Sequence, residues 1–171
     1  MGERKLIASF QVDHTRIRHG IFVSRRDIVN GSFVTTFDIR MKRPNAEPAI
    51  HPNAMHTIEH VVATYLRNSR FRDHVVYWGP MGCLTGFYFL TNTAHRIMPR
   101  EIEKLMRAAF RHLAGYRGEV PGATPVNCGN YLLHDLPMAR FEAREFLRRE
   151  WSFDYPAARR AKVGDRTFFD A

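Results

Sequence analysis

Residues 55–63 read MHTIEHVVA, two histidines four apart with a glutamate between them. At about 100° per residue, His56, Glu59, His60, Ala63 and Arg67 fall within an arc of about 100° on one side of a helix. Ile58, Val61, Val62, Tyr65 and Leu66 occupy the other side at the spacing of a core face. A helix of this pattern buries one side and aims two imidazoles and a carboxylate at a common point. The stretch predicts a helix packed on a core, with chemistry on its free side.

Working outward, the flanks alternate in character. Residues 20–41 read as a β-hairpin, GIFVSRRDIV and SFVTTFDIRM, joined by Asn30-Gly31, a strong type I′ turn signal. The Pro-rich RPNAEPAIHPN leads into the histidine helix, with Asn53 as the expected N-cap. HVVYW and TGFYFLTN read as strands either side of GPMGC, and residues 6–12 as extended. Residues 99–115 form an amphipathic helix with Ile102, Leu105, Met106, Ala109, Phe110 and Leu113 in one stripe, which we read as a packing helix without chemistry. A loop, YRGEVPGATPVNCGN, precedes a last helix over 136–151 capped by Asp135, and the polar tail 152–171 has no clear pattern. The expectation is one α+β domain over residues 1–171, a mostly antiparallel sheet packed with helices.

The chain has 171 residues, 44% hydrophobic and 25% charged, which fits a single soluble domain able to bury a real core. No apolar run approaches the roughly 18 residues of a membrane span, and the first 30 residues lack a hydrophobic signal core. We therefore expect a cytoplasmic protein with no membrane partner. Two cysteines, Cys83 and Cys128, are too few for a disulfide framework and read as thiols or ligands. The net charge of +9 raises nucleic acid as a partner. Against it, Lys5, Lys42, Lys104 and Lys162 are the only lysines. The arginines are scattered among acidic residues, as in EAREFLRRE, with no basic run and no nucleic-acid module. We expect no nucleic-acid partner, and read the positive field as an aid to capturing a small anion or zwitterion.

Two imidazoles at i and i+4 can hold one divalent metal, and they can equally be a pair of surface histidines. The order His-x-x-Glu-His matches the inverted zincin motif, in which a carboxylate moves protons beside a metal without ligating it. Such a site needs a third ligand and an open position. Cys128, in the turn-like NCGN, is a candidate because a loop thiolate can reach a helix face. Cys83, between glycines in GPMGCLTG, is either an acid/base whose pKa a nearby cation lowers or a small buried hydrophobe.

MHTIEH, GPMGCLTGFY and NCGNYLLHDL, preceded by SFQVDHT and TTFDIRM, resemble in order and spacing the signature stretches of the S-ribosylhomocysteine lyase (S-ribosylhomocysteinase) family. These are bacterial enzymes that make the precursor of autoinducer-2, and the resemblance runs over roughly residues 6–150. It implies that His56, His60 and Cys128 bind the metal, natively Fe²⁺ with Zn²⁺ or Co²⁺ able to substitute, and that Glu59 and Cys83 are the acid/base pair. It implies a reaction without net redox change. The ribose carbonyl moves along the sugar by proton transfers, and β-elimination then releases homocysteine and 4,5-dihydroxy-2,3-pentanedione. Each proton removal next to a carbonyl leaves an enediolate, an oxyanion that a Lewis acid stabilises.

The same resemblance assigns Ser9, His14 and Arg40 to the ribose and amino-acid ends of S-ribosylhomocysteine, and Arg67 to the homocysteine portion. It also implies a homodimer whose sites lie at the interface. One departure stands out. Family members carry an aspartate near the ribose and a serine just before Pro-Met-Gly-Cys, where this chain has Tyr77 and Gly79. Tyr77 is then either a hydrogen-bond donor to substrate or a plain strand residue. Two other functions compete: an inverted-zincin peptidase, in which Glu59 activates water, and a basic nucleic-acid-binding protein with a vestigial metal site.

Overall fold

The computed structural model describes residues 12–154. Ser9 and, apart from Val12, the segment expected to be extended over 6–12 lie outside that range. Four strands form one antiparallel sheet in the order β1-β2-β4-β3: β1 Gly20–Val29, β2 Ser32–Arg40, β3 Val75–Pro80 and β4 Gly86–Thr93. The β1–β2 turn is the expected one, Asn30 (φ 49°) and Gly31 (φ 78°) both lying in the left-handed region that a type I′ turn requires. Three helices, α1 Pro52–Arg67, α2 Pro99–Gly115 and α3 Leu136–Arg148, pack on the sheet and on one another, giving the expected α+β architecture.

The core forms where the helices meet the sheet. Alternate residues Phe37, Ile39, Phe87 and Phe89 are fully buried beneath Ile58 and Val62 of α1 and Met106 and Phe110 of α2. Trp78 stacks on Phe87 with centroids 4.6 Å apart, and Phe110 meets Phe146 of α3 edge-on at 5.0 Å. The apolar side of α1 read from the sequence is therefore anchored on both layers, and its opposite side is fixed in direction.

Two boundaries differ from the sequence expectation. The N-cap of α1 is His51 rather than Asn53. Pro52 takes the first helical position, where its missing N–H costs nothing, so the cap falls two residues earlier and the His51 ring accepts from the Asn53 N–H at 3.3 Å. The last helix ends at Arg148 instead of running to 151. Ser152 pairs with the start of β1, its N–H donating to His19 O at 2.8 Å and its carbonyl accepting from Ile21 N–H at 2.9 Å. Trp151 stacks on Phe146 at 4.3 Å and donates its indole N–H to Phe146 O. These tertiary contacts override the helix propensity of the Arg-Arg-Glu run. Among the described residues no helix is long and apolar enough to cross a membrane.

Candidate metal centre and active site

On the free side of α1, the two imidazoles are fixed by backbone carbonyls from the loop that folds over them. His56 Nδ1–H donates to Leu133 O at 2.8 Å, and His60 Nδ1–H donates to Pro121 O at 2.7 Å. Each bond sets the tautomer and leaves Nε2 as a lone pair, the arrangement found behind metal-ligating histidines. Both Nε2 atoms face Cys128 Sγ, at 3.4 Å and 3.7 Å. A tetrahedral ion with metal–nitrogen distances of about 2.0–2.1 Å and a metal–sulfur distance of about 2.3 Å sets its ligand atoms about 3.5 Å apart. The donor set and its spacing fit one divalent ion. The thiol sits in a turn, with Cys128 N–H donating to Thr124 O at 3.0 Å and Asn130 N–H donating to Cys128 Sγ at 3.4 Å.

A fourth side chain, His134, joins this group, all four ligand atoms lying within 4.8 Å of one another. Sequence reasoning missed it, because a lone histidine before a helix cap carries no spacing signal. Its ring stacks on His56 with centroids 4.2 Å apart and planes 15° from parallel. A ligated metal lies in the plane of each imidazole that binds it, and two nearly parallel, stacked planes share no point close by. In this orientation His134 is thus a packing neighbour of the ligands, not a co-ligand. Burial first, and then His56 and His60, push its pKa down to about 4, so it is neutral at physiological pH. Its Nδ1 meets Thr57 Oγ1 at 3.2 Å, and the same oxygen accepts from Asp135 N–H at 2.9 Å while donating to Asn53 O at 2.8 Å. Thr57, fully buried, therefore ties α1 to the loop that carries Cys128.

Glu59 lies outside the ligand group, half-buried, and with His56 lines a cleft of about 330 Å³. The far wall of the cleft is Pro80, Met81, Gly82 and Leu84, the turn that carries Cys83. Cys83 is an exposed free thiol, which removes the reading of it as a small core residue. Arg40 Nη1 lies 3.8 Å from its sulfur, and Thr85 Oγ1 lies 3.0 Å away. Partial burial raises the thiol's pKa, but the Thr85 hydroxyl and backbone bonds and the Arg40 charge outweigh it, leaving the thiol below its usual 9.0. A larger concavity of about 920 Å³ lies between segments 15–19 and 149–154. It has several arginines but no cysteine, and its one histidine, His19, is bound to Glu47 at 3.0 Å, so the chemistry belongs to the smaller cleft.

The other substrate candidates are placed less directly. Arg40 is buried and held by Asp38 Oδ2 at 2.8 Å. His14 sits in a short turn capped by Asp13, its Nδ1–H donating to Val12 O at 2.8 Å. Arg67 donates to the carbonyls of Val75 and Val76 at 3.4 and 3.1 Å and so braces the start of β3. Tyr77 and Gly79 prove to be one feature: a Cβ on Gly79 would lie 1.9 Å from the Tyr77 hydroxyl, so the phenol occupies the space a side chain at 79 would take.

A model of the S-Ribosylhomocysteinase (LuxS) family matches residues 7–155. A Phocaeicola vulgatus protein named S-ribosylhomocysteine lyase is 57% identical over 144 residues, 84% of this chain and 88% of that protein. A Porphyromonas gingivalis protein of the same name is 51% identical over 157 residues, covering 88% of this chain and 98% of its own length. A third, from Clostridium beijerinckii, is 44% identical over 142 residues, 82% of this chain and 88% of that protein.

Proposed function

Because this chain belongs to the S-ribosylhomocysteinase (LuxS) family, and is therefore an enzyme, a carbon–sulfur lyase, we propose that it cleaves S-ribosylhomocysteine to homocysteine and 4,5-dihydroxy-2,3-pentanedione. The observation that carries the metal-dependent form of this reading is the convergence of two tethered imidazole nitrogens on Cys128 Sγ beside Glu59. His56, His60 and Cys128 would hold the ion, Fe²⁺ natively with Zn²⁺ or Co²⁺ substituting, since imidazole and thiolate suit all three. When bound, the ion supplies Lewis-acid stabilisation of the enediolate oxygens.

The chain's own groups do the proton transfers. The Cys83 thiolate takes a proton from the carbon beside the sugar carbonyl and returns it to the former carbonyl carbon, while the hydroxyl proton passes between the two enediolate oxygens, so the carbonyl moves one position. Glu59, which ligates nothing, is free to serve the next transfer and the α-proton removal that expels the homocysteine sulfur. Each such base is worth about 10²–10⁴-fold in rate. Buried Arg40, paired with Asp38, keeps a fixed positive charge beside Cys83.

A thiolate ligand and a ligand group without carboxylate argue against a peptidase of inverted-zincin type. We read the active form as a homodimer in which His14 of one chain reaches the other's site, because among the described residues nothing that His14 bonds belongs to the cleft. Two unbridged thiols suit the reducing cytoplasm. The test is incubation of metal-loaded protein with S-ribosylhomocysteine and assay of released thiol. Homocysteine release that stops on chelation supports the reading, and no release from fully loaded protein rejects it.

A further inference from the structure

Thr85 stands between the Arg40 guanidinium and the Cys83 sulfur. It is buried immediately before β4, with Oγ1 3.0 Å from Arg40 Nη1 and 3.0 Å from Cys83 Sγ. We propose that Thr85 is a positioning residue for Cys83, its hydroxyl, polarised by the Arg40 guanidinium, donating to the sulfur and holding it as a thiolate.

The direction of the bonds follows from the donor inventory. A guanidinium only donates, so Arg40 takes one lone pair of Oγ1 and leaves the single hydroxyl hydrogen for sulfur. A thiolate accepts it strongly, whereas a neutral thiol is only a weak acceptor and gains much less from the same donor. The hydroxyl therefore favours the charged form. It is also the nearer partner, since the direct Arg40–sulfur contact is 3.8 Å. The Arg40 charge, 3.8 Å from the sulfur, adds its own direct attraction to the bond from Thr85.

The backbone holds this relay in place. The Thr85 carbonyl accepts from both Met41 and Lys42 N–H at 3.0 Å, fixing the residue against the end of β2. Arg40 pairs with Gly86, where a Cβ would lie 2.0 Å from Ile39 O, so only glycine lets the strands approach closely enough to set Thr85 beside Arg40. Asp38 pins the other guanidinium nitrogen at 2.8 Å. The Arg40 side of the relay is therefore built on strand ends, and Cys83 meets the hydroxyl from the exposed turn.

The catalytic consequence rests on the proposed role of Cys83 as a base, but the state of the sulfur can be read without it. The experiment follows iodoacetamide alkylation of Cys83 against pH, quantified on the Cys83 peptide by mass spectrometry so that Cys128 does not contribute. The full-length unmutated protein is compared with Thr85→Val, Thr85→Ala and Thr85→Ser. The expected result is a rise of about one unit or more in the alkylation midpoint for Val and Ala, about tenfold less thiolate at neutral pH, with Ser restoring the midpoint. Ala removes atoms only, so it carries the test should Val disturb the fold. An unchanged midpoint in a folded hydroxyl-less variant overturns the proposal. Turnover of Cys83→Ala separates the two ideas: an active Cys83→Ala enzyme rejects the base role of Cys83, while the shifted midpoint still stands for Thr85.

Discussion

Replacing Thr57 by valine keeps the shape of a buried side chain and removes one hydroxyl. That hydroxyl serves Asn53 O at 2.8 Å, Asp135 N–H at 2.9 Å and the His134 ring at 3.2 Å. Asn53 O loses little, because α1 offers it a backbone donor at residue 57. Asp135 N–H and His134 Nδ1 lose their partner outright. Each orphaned polar group costs about 1–3 kcal/mol when fully buried, and these two are half-buried, so with the small gain from a buried methyl the net loss is about 2 kcal/mol. For a chain of this size that is a fall of about 4–8 °C in melting temperature. Val and Thr are both β-branched, so helix propensity adds nothing. The same bonds hold the loop from Cys128 to Leu133 against α1, and loosening it should weaken metal binding about tenfold, as for loss of an outer-shell partner. Thermal melts of the metal-free protein and chelator competition measure the two effects, with Thr57→Ser as the control that keeps every bond. A Thr57→Val protein matching the unmutated one in both would refute this account of how α1 and the loop are joined.

Cys83→Ala should retain full metal and the fold yet lose at least about 10²-fold in turnover, and Glu59→Gln should do likewise, as metal analysis alongside the thiol-release assay will show. If His14 acts across a two-fold interface, mixing inactive Cys83→Ala with inactive His14→Ala chains should restore about a quarter of full activity once heterodimers form half the population. Heterodimers without activity would contradict it. Burial raises the pKa of Glu47, but the His19 bond and Arg43 N–H outweigh it, so the carboxyl titrates below 4.5. Its contribution to stability is thus complete above about pH 4.5 and is lost as pH falls through the lower folded value. Glu47→Gln should be less stable at neutral pH, with the gap to the unmutated protein closing on acidification in urea melts.

The hairpin was legible because Asn30-Gly31 leaves few alternatives, and α1 and α2 because their apolar residues keep a 3.6 period over four turns. That His56 and His60 face the same way was legible for the same reason, spacing on one helix. What escaped depends on how distant segments meet. His134 comes to the His/Cys group only because residues 116–135 fold back over α1. The Arg40–Thr85–Cys83 chain exists because β2 and β4 pair in one particular register. Arg67, expected from the resemblance to meet the homocysteine portion of substrate, spends two donors bracing β3. The coupling of Tyr77 with Gly79 needed the backbone of β3, since two departures from a family pattern look independent in one dimension.

The account stands on His56, His60 and Cys128 forming one metal centre, and X-ray absorption of the Zn²⁺-loaded protein tests that most directly. It should show one sulfur at about 2.3 Å and two imidazole nitrogens at about 2.0–2.1 Å, with a light-atom ligand in the remaining position. Zinc bound with no sulfur neighbour would contradict the site, and three imidazoles would contradict the placement of His134 outside it.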